Sequence, residues 1–276
     1  MPASSPPFLL EDFPGFLDFL WYHWGIDLSA YNQASVKRRL RRTMVGLRQE
    51  SLAQLQAYLN QRANGRSLFI ERFMVQITEL FREPEAMRSL AQVVFPGWQD
   101  REEIQILMMG CSSGEEVLSL AIMLREQGLL NRCHITACDI DEMALRRAQK
   151  PSVSRSDLPQ AQRAYRQAGG RFFLDHYYTT VSSRAYFNPQ LLKNVTFQPA
   201  DLVHFLPDRC YDLIWCKNLL IYFDPGYQNH LISHLHSCLA PRGILSLGQR
   251  ESISFYEDHR RLHPLSELHR LYQSKQ

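Results

Sequence analysis

The residues Gly110-Cys111-Ser112-Ser113-Gly114-Glu115-Glu116 close one apolar run, Ile104 to Met109, and open an amphipathic one from Val117 to Glu126. Small residues at a strand-to-helix turn let the backbone come close to a ligand, and free amides at the helix start favour electronegative groups on it. The spacing is not G-x-G-x-x-G, so the turn alone fits an ordinary βα connection equally well. A second run, His134 to Cys138, ends in Asp139-Ile140-Asp141. An acid at that strand end can accept hydrogen bonds from the two hydroxyls of a ribose. Asp139 is alternatively an N-cap for the helix beginning near Glu142, a task that Asp141 performs at least as well. Turn and acid together favour a nucleoside. Glu115 and Glu116 stand where a dinucleotide's pyrophosphate would lie, whereas a ligand bearing a sulfonium and an ammonium tolerates them. The balance favours S-adenosylmethionine over a nicotinamide dinucleotide.

These residues need a scaffold, and the apolar pattern supplies one. From Phe13 to about Arg72 the period is helical: Phe16, Leu17, Leu20 and Trp24 share a face, and Val36, Leu40, Met44 and Leu47 recur at three- and four-residue spacing. Residues 1–80 are therefore expected to form a small all-helical domain. After Pro96-Gly97, short apolar runs alternate with helical stretches, the later runs being Val195 to Phe197, Tyr211 to Cys216 and Gly243 to Leu247. Such alternation predicts an open α/β sheet of parallel crossover units over residues 81–276, with helices on both faces and its ligand at the carboxyl ends of the strands. Within 151–194 the alternation breaks, and the aromatic stretch from Phe172 to Phe187 reads as a small β-rich, antiparallel insertion.

Composition narrows the function classes. The chain has 276 residues, 45% hydrophobic and 21% charged, which is ordinary globular usage. Its net charge of +3 is too small for a general polyanion binder, so any electrostatic targeting must be local. No apolar run reaches the roughly 18 residues a membrane span requires. Pro2, Pro6 and Pro7 stand where a signal peptide would be basic, so a cytoplasmic protein is expected. Six scattered cysteines without a C-x-x-C pair read as reduced core residues. His230 and His234 have the i, i+4 spacing of a metal pair but no accompanying acid motif, and no metal is expected there. Asp224-Pro225-Gly226-Tyr227 resembles the [DN]-P-P-[FY] element of amino-group methyltransferases, yet it follows the strand end and better starts a helix with Pro225 in its first turn.

Four ordered elements resemble the chemotaxis receptor methyltransferases, the CheR-type glutamate O-methyltransferases of methyl-accepting chemoreceptors. Thr78-Glu79-Leu80-Phe81-Arg82-Glu83 is similar to the family's T-x-F-F-R-[DE], Ser113-Gly114-Glu115-Glu116 to its [ST]-G-E-E turn, and Asp139-Ile140-Asp141 to its S-D-I-D strand end. Cys216-Lys217-Asn218-Leu219-Leu220-Ile221-Tyr222-Phe223-Asp224 resembles C-R-N-x-x-I-Y-F-D. The chain departs from the pattern at Gln76 and Asp201, usually asparagine, at Lys217, usually arginine, and at Gly248-Gln249-Arg250-Glu251, usually G-H-S-E.

The resemblance implies a Rossmann-like class I S-adenosylmethionine methyltransferase sheet that releases S-adenosylhomocysteine. It implies that Gln76, Thr78 and Arg82 reach the cofactor, with the guanidinium of Arg82 suited to a carboxylate. Gly110 and Glu115 would meet its amino-acid part, Asp139 its ribose, Asp201 and Leu202 its adenine, and Lys217, Asn218 and Leu219 would close the site near the sulfonium. Tyr222 is the candidate contact for the incoming glutamate. That carboxylate is ionised at neutral pH, so the transfer needs no general base. The implied partner is the acidic helical bundle of a chemoreceptor, for which Arg38, Arg41 and Arg42 in the run Lys37-Arg38-Arg39-Leu40-Arg41-Arg42 offer a complement. If Val36, Leu40, Met44 and Leu47 pack inward, all the basic side chains of this run are expected to fan over exposed faces; the alternative is a merely solvated face. No nucleic-acid partner or membrane insertion is expected. An N-methyltransferase and a non-catalytic, cofactor-binding receptor module are the competing functions.

Overall fold

The computed structural model describes residues 10–74, 78–205, 209–254 and 256–275. Two compact units account for them: residues 10–74 with 222–227, and residues 78–221 with 228–275.

The first unit is helical: α1 (Phe13–Trp24), α2 (Gln33–Leu47), α3 (Leu52–Asn60) and α4 (Gly65–Phe73). Side-chain caps set three of the starts, with Asp12, Asn32 and Ser51 accepting from the amides of Gly15, Ser35 and Gln54. The fourth start requires glycine, because a Cβ on Gly65 would lie 2.1 Å from the Leu59 carbonyl oxygen. Phe16, Phe69 and Phe73 pack ring to ring in the core, Phe69 and Phe73 stacked at 5.0 Å. Along α2 the buried stripe is Val36, Arg39, Leu40, Thr43, Met44 and Leu47, while Lys37, Arg38, Arg41 and Arg42 are exposed. The expectation that the whole basic run faces outward thus fails at Arg39, which is only 7% exposed. Helical geometry explains it: Arg39 lies three residues after Val36 and four before Thr43, on the stripe itself.

The second unit is built on a mostly parallel seven-stranded sheet. In chain order its elements are α5 (Pro84–Val93), β1 (Ile104–Met109), α6 (Glu115–Glu126), β2 (Cys133–Asp139), α7 (Glu142–Ala148), β3 (Ser152–Ser154), α8 (Leu158–Gln167), β4 (Tyr178–Val181), β5 (Arg184–Phe187), β6 (Val195–Pro199), β7 (Tyr211–Cys216), α9 (Pro225–Ser237), β8 (Leu239–Leu247), β9 (Leu262–Ser266) and β10 (Leu271–Ser274). The first turn of α9 groups with the helical unit. The large sheet runs β6-β2-β1-β7-β8-β10-β9, and β3-β5-β4 form a separate antiparallel sheet inside the insertion. All six residues of β7 are buried, as a central parallel strand covered on both faces requires. The antiparallel pair β9 and β10 is an addition to the strands expected from the sequence. Cys210 is exposed, contrary to the expected core position, while the other five cysteines are buried. Among the described residues no helix is long and apolar enough to cross a membrane.

Candidate functional site

Parallel pairing sets the ends of β1, β2, β6 and β7 side by side, with Met109 opposite Cys138 and Asp139 opposite Pro199. The turn after β1 is tightly constrained. Gly110, Ser112 and Gly114 all have positive φ, and a Cβ on Gly114 would lie 2.7 Å from that of Ala148. Asp139 braces this turn: one carboxylate oxygen accepts from the Ser112 amide at 2.8 Å and the other from the Asp141 amide at 2.9 Å. The cap of α7 is Asp141, which accepts from Met143 and Ala144, so Asp139 is left to the turn and to whatever lies over it. Burial pushes the Asp139 carboxyl above its ordinary range, partly offset by those two amides.

Glu115 and Thr78 line one cavity of about 460 Å³, together with Leu80, Val153 and Arg184. The Ser113 hydroxyl donates to Glu115 at 2.8 Å. Asp201 and Leu202 follow β6 beside Asp139, whose carbonyl accepts from the Ala200 amide at 2.9 Å. Asp201 itself accepts from the Val203 amide at 3.0 Å, and Leu202 is buried. Gln76 lies outside the described residues.

Beyond β7, Asn218 adopts a left-handed conformation with φ 58°. Its turn is held by a side chain to which the sequence reading assigned no role. One oxygen of Glu251 accepts from the Leu219 and Leu220 amides, both at 2.7 Å, and the other accepts from Asn218 at 2.8 Å and Gly248 at 2.6 Å. Glu251 is 3% exposed, and burial raises its pKa despite the four donors. Glu83 adds a second brace, accepting from the Asn218 side-chain amide at 3.2 Å and the Gln249 amide at 3.3 Å. Lys217 points into this network. Its ammonium is buried 2.7 Å from Glu83 and 4.8 Å from the Trp215 ring centre, the position of an internal counter-ion. Burial would push the Glu83 carboxyl up, but Lys217 and the hydrogen bonds hold it below its ordinary value.

Arg82 lies 3.9 Å from Glu116, which also accepts from the Trp215 indole at 2.8 Å. Burial raises the Glu116 pKa against the opposing pull of Lys217, Trp215 and Arg82. Glu83, Glu116, Trp215 and Glu251 were missed as functional candidates because they touch neighbours far along the chain. The signal available was the place of Glu251 three residues after the Gly248 that follows β8.

Tyr222 belongs to the helical unit. Its carbonyl accepts from the Asn32 amide at 2.9 Å, and the Arg39 guanidinium lies 4.1 Å from its ring centre. Asp224 accepts from the Tyr227 amide at 3.1 Å and so caps α9, which begins at Pro225. Among the described residues no group of three or more His, Cys, Asp or Glu is arranged to hold a metal.

The arrangement fits an S-adenosylmethionine-type ligand. The hydroxyls of Thr78 and Ser112 are buried without a hydrogen-bond partner among the described residues, two orphan groups that a polar ligand would satisfy. Asp139 offers acceptors beside a turn in which Gly114 has no room for a Cβ, and Glu115 offers a carboxylate that could face an ammonium.

Comparison with known proteins gives relatives that match nearly the whole chain. The Pseudomonas putida protein Cher3 is 32% identical over 93% of this chain and 94% of its own length. A chemotaxis protein methyltransferase of Listeria monocytogenes is 26% identical over 90% of this chain and 92% of its own. Among solved structures, the N-methyltransferase NodS of Bradyrhizobium japonicum, bound to S-adenosyl-L-homocysteine, covers 88% of this chain and 99% of its own at 13% identity and a TM-score of 0.42, a likeness too slight to argue from. The family model described as CheR methyltransferase, all-alpha domain, matches residues 11–74, and that described as CheR methyltransferase, SAM binding domain, matches residues 76–267. With the braced turn, the strand-end acid and both family segments in place, the chain belongs to the CheR methyltransferase family.

Proposed function

We propose that this protein esterifies glutamate side chains on the acidic helical bundle of a methyl-accepting chemoreceptor, working in the cytoplasm. S-adenosylmethionine, when bound, supplies an electrophilic methyl group on a sulfonium. Asp139 would hold its ribose and Glu115 its ammonium. Thr78, Arg82 and Gly110 would hold the rest of its amino-acid part, Asp201 and Leu202 its adenine, and the Asn218-Leu219 turn its sulfonium end. Lys217 would act through Glu83 on that turn. Gln76 is proposed from the resemblance alone. Tyr222 positions the glutamate carboxylate, and the remaining work is alignment and exclusion of water from an oxygen that is already ionised.

The observation that carries this reading is the makeup of the helical unit. It bears both Tyr222 and the exposed cations Lys37, Arg38, Arg41 and Arg42 of α2. A cationic face attracts an acidic substrate and repels the protonated amine that an N-methyltransferase would seek. The test is transfer of labelled methyl groups to receptor-containing membranes. Label should enter receptor and leave as methanol in mild base. Label that survives alkali would assign the enzyme to N-methylation, and retained cofactor without incorporation would make the protein a binding module.

A further inference from the structure

We propose that Arg39 is a positioning residue for Tyr222, selecting the ring orientation in which the tyrosine meets its substrate. The proposal rests on the reading of Tyr222 given above and adds a residue to which that reading assigns no role.

Arg39 is anomalous where it stands. It occupies the buried stripe of α2 among Val36, Leu40, Thr43 and Met44, a place that leucine would fill without taking a charge out of water. Its guanidinium is covered by aromatic faces, with Tyr222 at 4.1 Å and Phe73 at 5.8 Å. Burial lowers its pKa from the ordinary guanidinium value, Arg38 pushes the same way, and Tyr222 and Tyr31 oppose it.

The backbone at Tyr222 is pinned independently of its ring. Its carbonyl accepts from Asn32, the residue that caps α2, and the next residue, Phe223, bridges to Tyr31 with ring centres 4.7 Å apart. The Asp224 amide donates to Ala30 at 3.0 Å. Pinning the main chain leaves the tyrosine its staggered rotamers. Arg39 sits two turns along the same helix and meets one of them. A planar cation over the ring, near enough to donate to the tyrosine oxygen as well, holds that rotamer. One helix therefore fixes both the position and the direction of Tyr222.

The experiment measures kcat, receptor KM and cofactor Kd for Arg39→Met, Arg39→Lys, Tyr222→Ala and Arg39→Met/Tyr222→Ala. Arg39→Met should lower kcat roughly three- to thirty-fold, the span of a cation–π contact from partly to fully desolvated, with KM and Kd close to wild type. Arg39→Lys keeps a buried cation without the planar stack and should fall between. In the Tyr222→Ala background the Arg39 substitution should have no further effect. A fluorotyrosine label at 222 should shift its ¹⁹F resonance in both Arg39 variants, a readout independent of turnover. Equal kcat losses from Arg39→Met with and without Tyr222, a rise in KM alone, or an unmoved fluorine signal would overturn the inference while leaving the role of Tyr222 intact. Wild-type kcat in Tyr222→Ala would overturn both.

Discussion

Replacing Glu251 with glutamine tests the brace beneath the Asn218 turn. The wild-type carboxylate accepts four backbone amides. The glutamine carbonyl can keep the pair from Leu219 and Leu220, but its NH₂ then faces the Asn218 and Gly248 amides, previously at 2.8 and 2.6 Å, donor against donor. Two buried donors lose their acceptor, at about 1–3 kcal/mol each. Part of that loss is recovered where the partly exposed turn relaxes, so about 3 kcal/mol is expected for Glu251→Gln. For a protein of this size that lowers Tm by roughly 6–12 °C. The relaxed turn should also release Asn218 from its left-handed conformation, so cofactor affinity should fall together with stability. Thermal melts with and without S-adenosylhomocysteine, and calorimetric titration of the same samples, measure both. A variant with wild-type Tm and wild-type affinity would refute the argument, because the amides would then have no need of the carboxylate.

Asp139→Ala should weaken S-adenosylmethionine binding by about 1–3 kcal/mol, the cost of leaving ligand hydroxyls without an acceptor, and unchanged affinity by calorimetry would remove Asp139 from the site. Replacing Arg38, Arg41 and Arg42 together with alanine should raise the apparent receptor requirement and flatten its salt dependence while cofactor affinity stays constant, each exposed pair being worth about 0.2–1 kcal/mol. Wild-type salt dependence in that triple variant would turn attention to the antiparallel insertion. Glu83→Gln leaves the Lys217 ammonium buried and unpaired, so about 3 kcal/mol of stability should be lost near neutral pH. Since the Glu83 pKa is held below its ordinary 4.5, the stability of the pair is present above that pH and is lost as pH falls through the lowered value. Urea melts of variant and wild type should therefore converge on acidification, and a constant gap would count against the ion pair.

What could be read from the linear chain is what local chemistry writes into it. Apolar runs marked β1, β2, β7 and the end of β8, because a buried parallel strand must be apolar nearly throughout, while the half-buried edge strand β6 showed only as Val195 and Phe197. The small residues of the 110–114 turn marked a tight strand-to-helix connection, in which Gly110, Ser112 and Gly114 have positive φ, and the acid at Asp139 stood out at a strand end, its cap alternative being taken by Asp141. Tertiary contacts decided the rest. Arg39 was misread as exposed because charge alone says nothing about whether aromatic faces wait on the buried side of a helix. Gly248 apart, the hydrogen-bond and ion-pair partners of Glu251, Lys217 and Glu83 lie 31 to 166 residues away, at separations where no periodicity survives. β10 pairs antiparallel with β8 on one side and β9 on the other, through short, mixed sequences whose strand character comes from the sheet they extend. Tyr222 follows β7 in the chain yet groups with helices that precede the sheet, because its backbone and ring are held by Asn32 and Arg39.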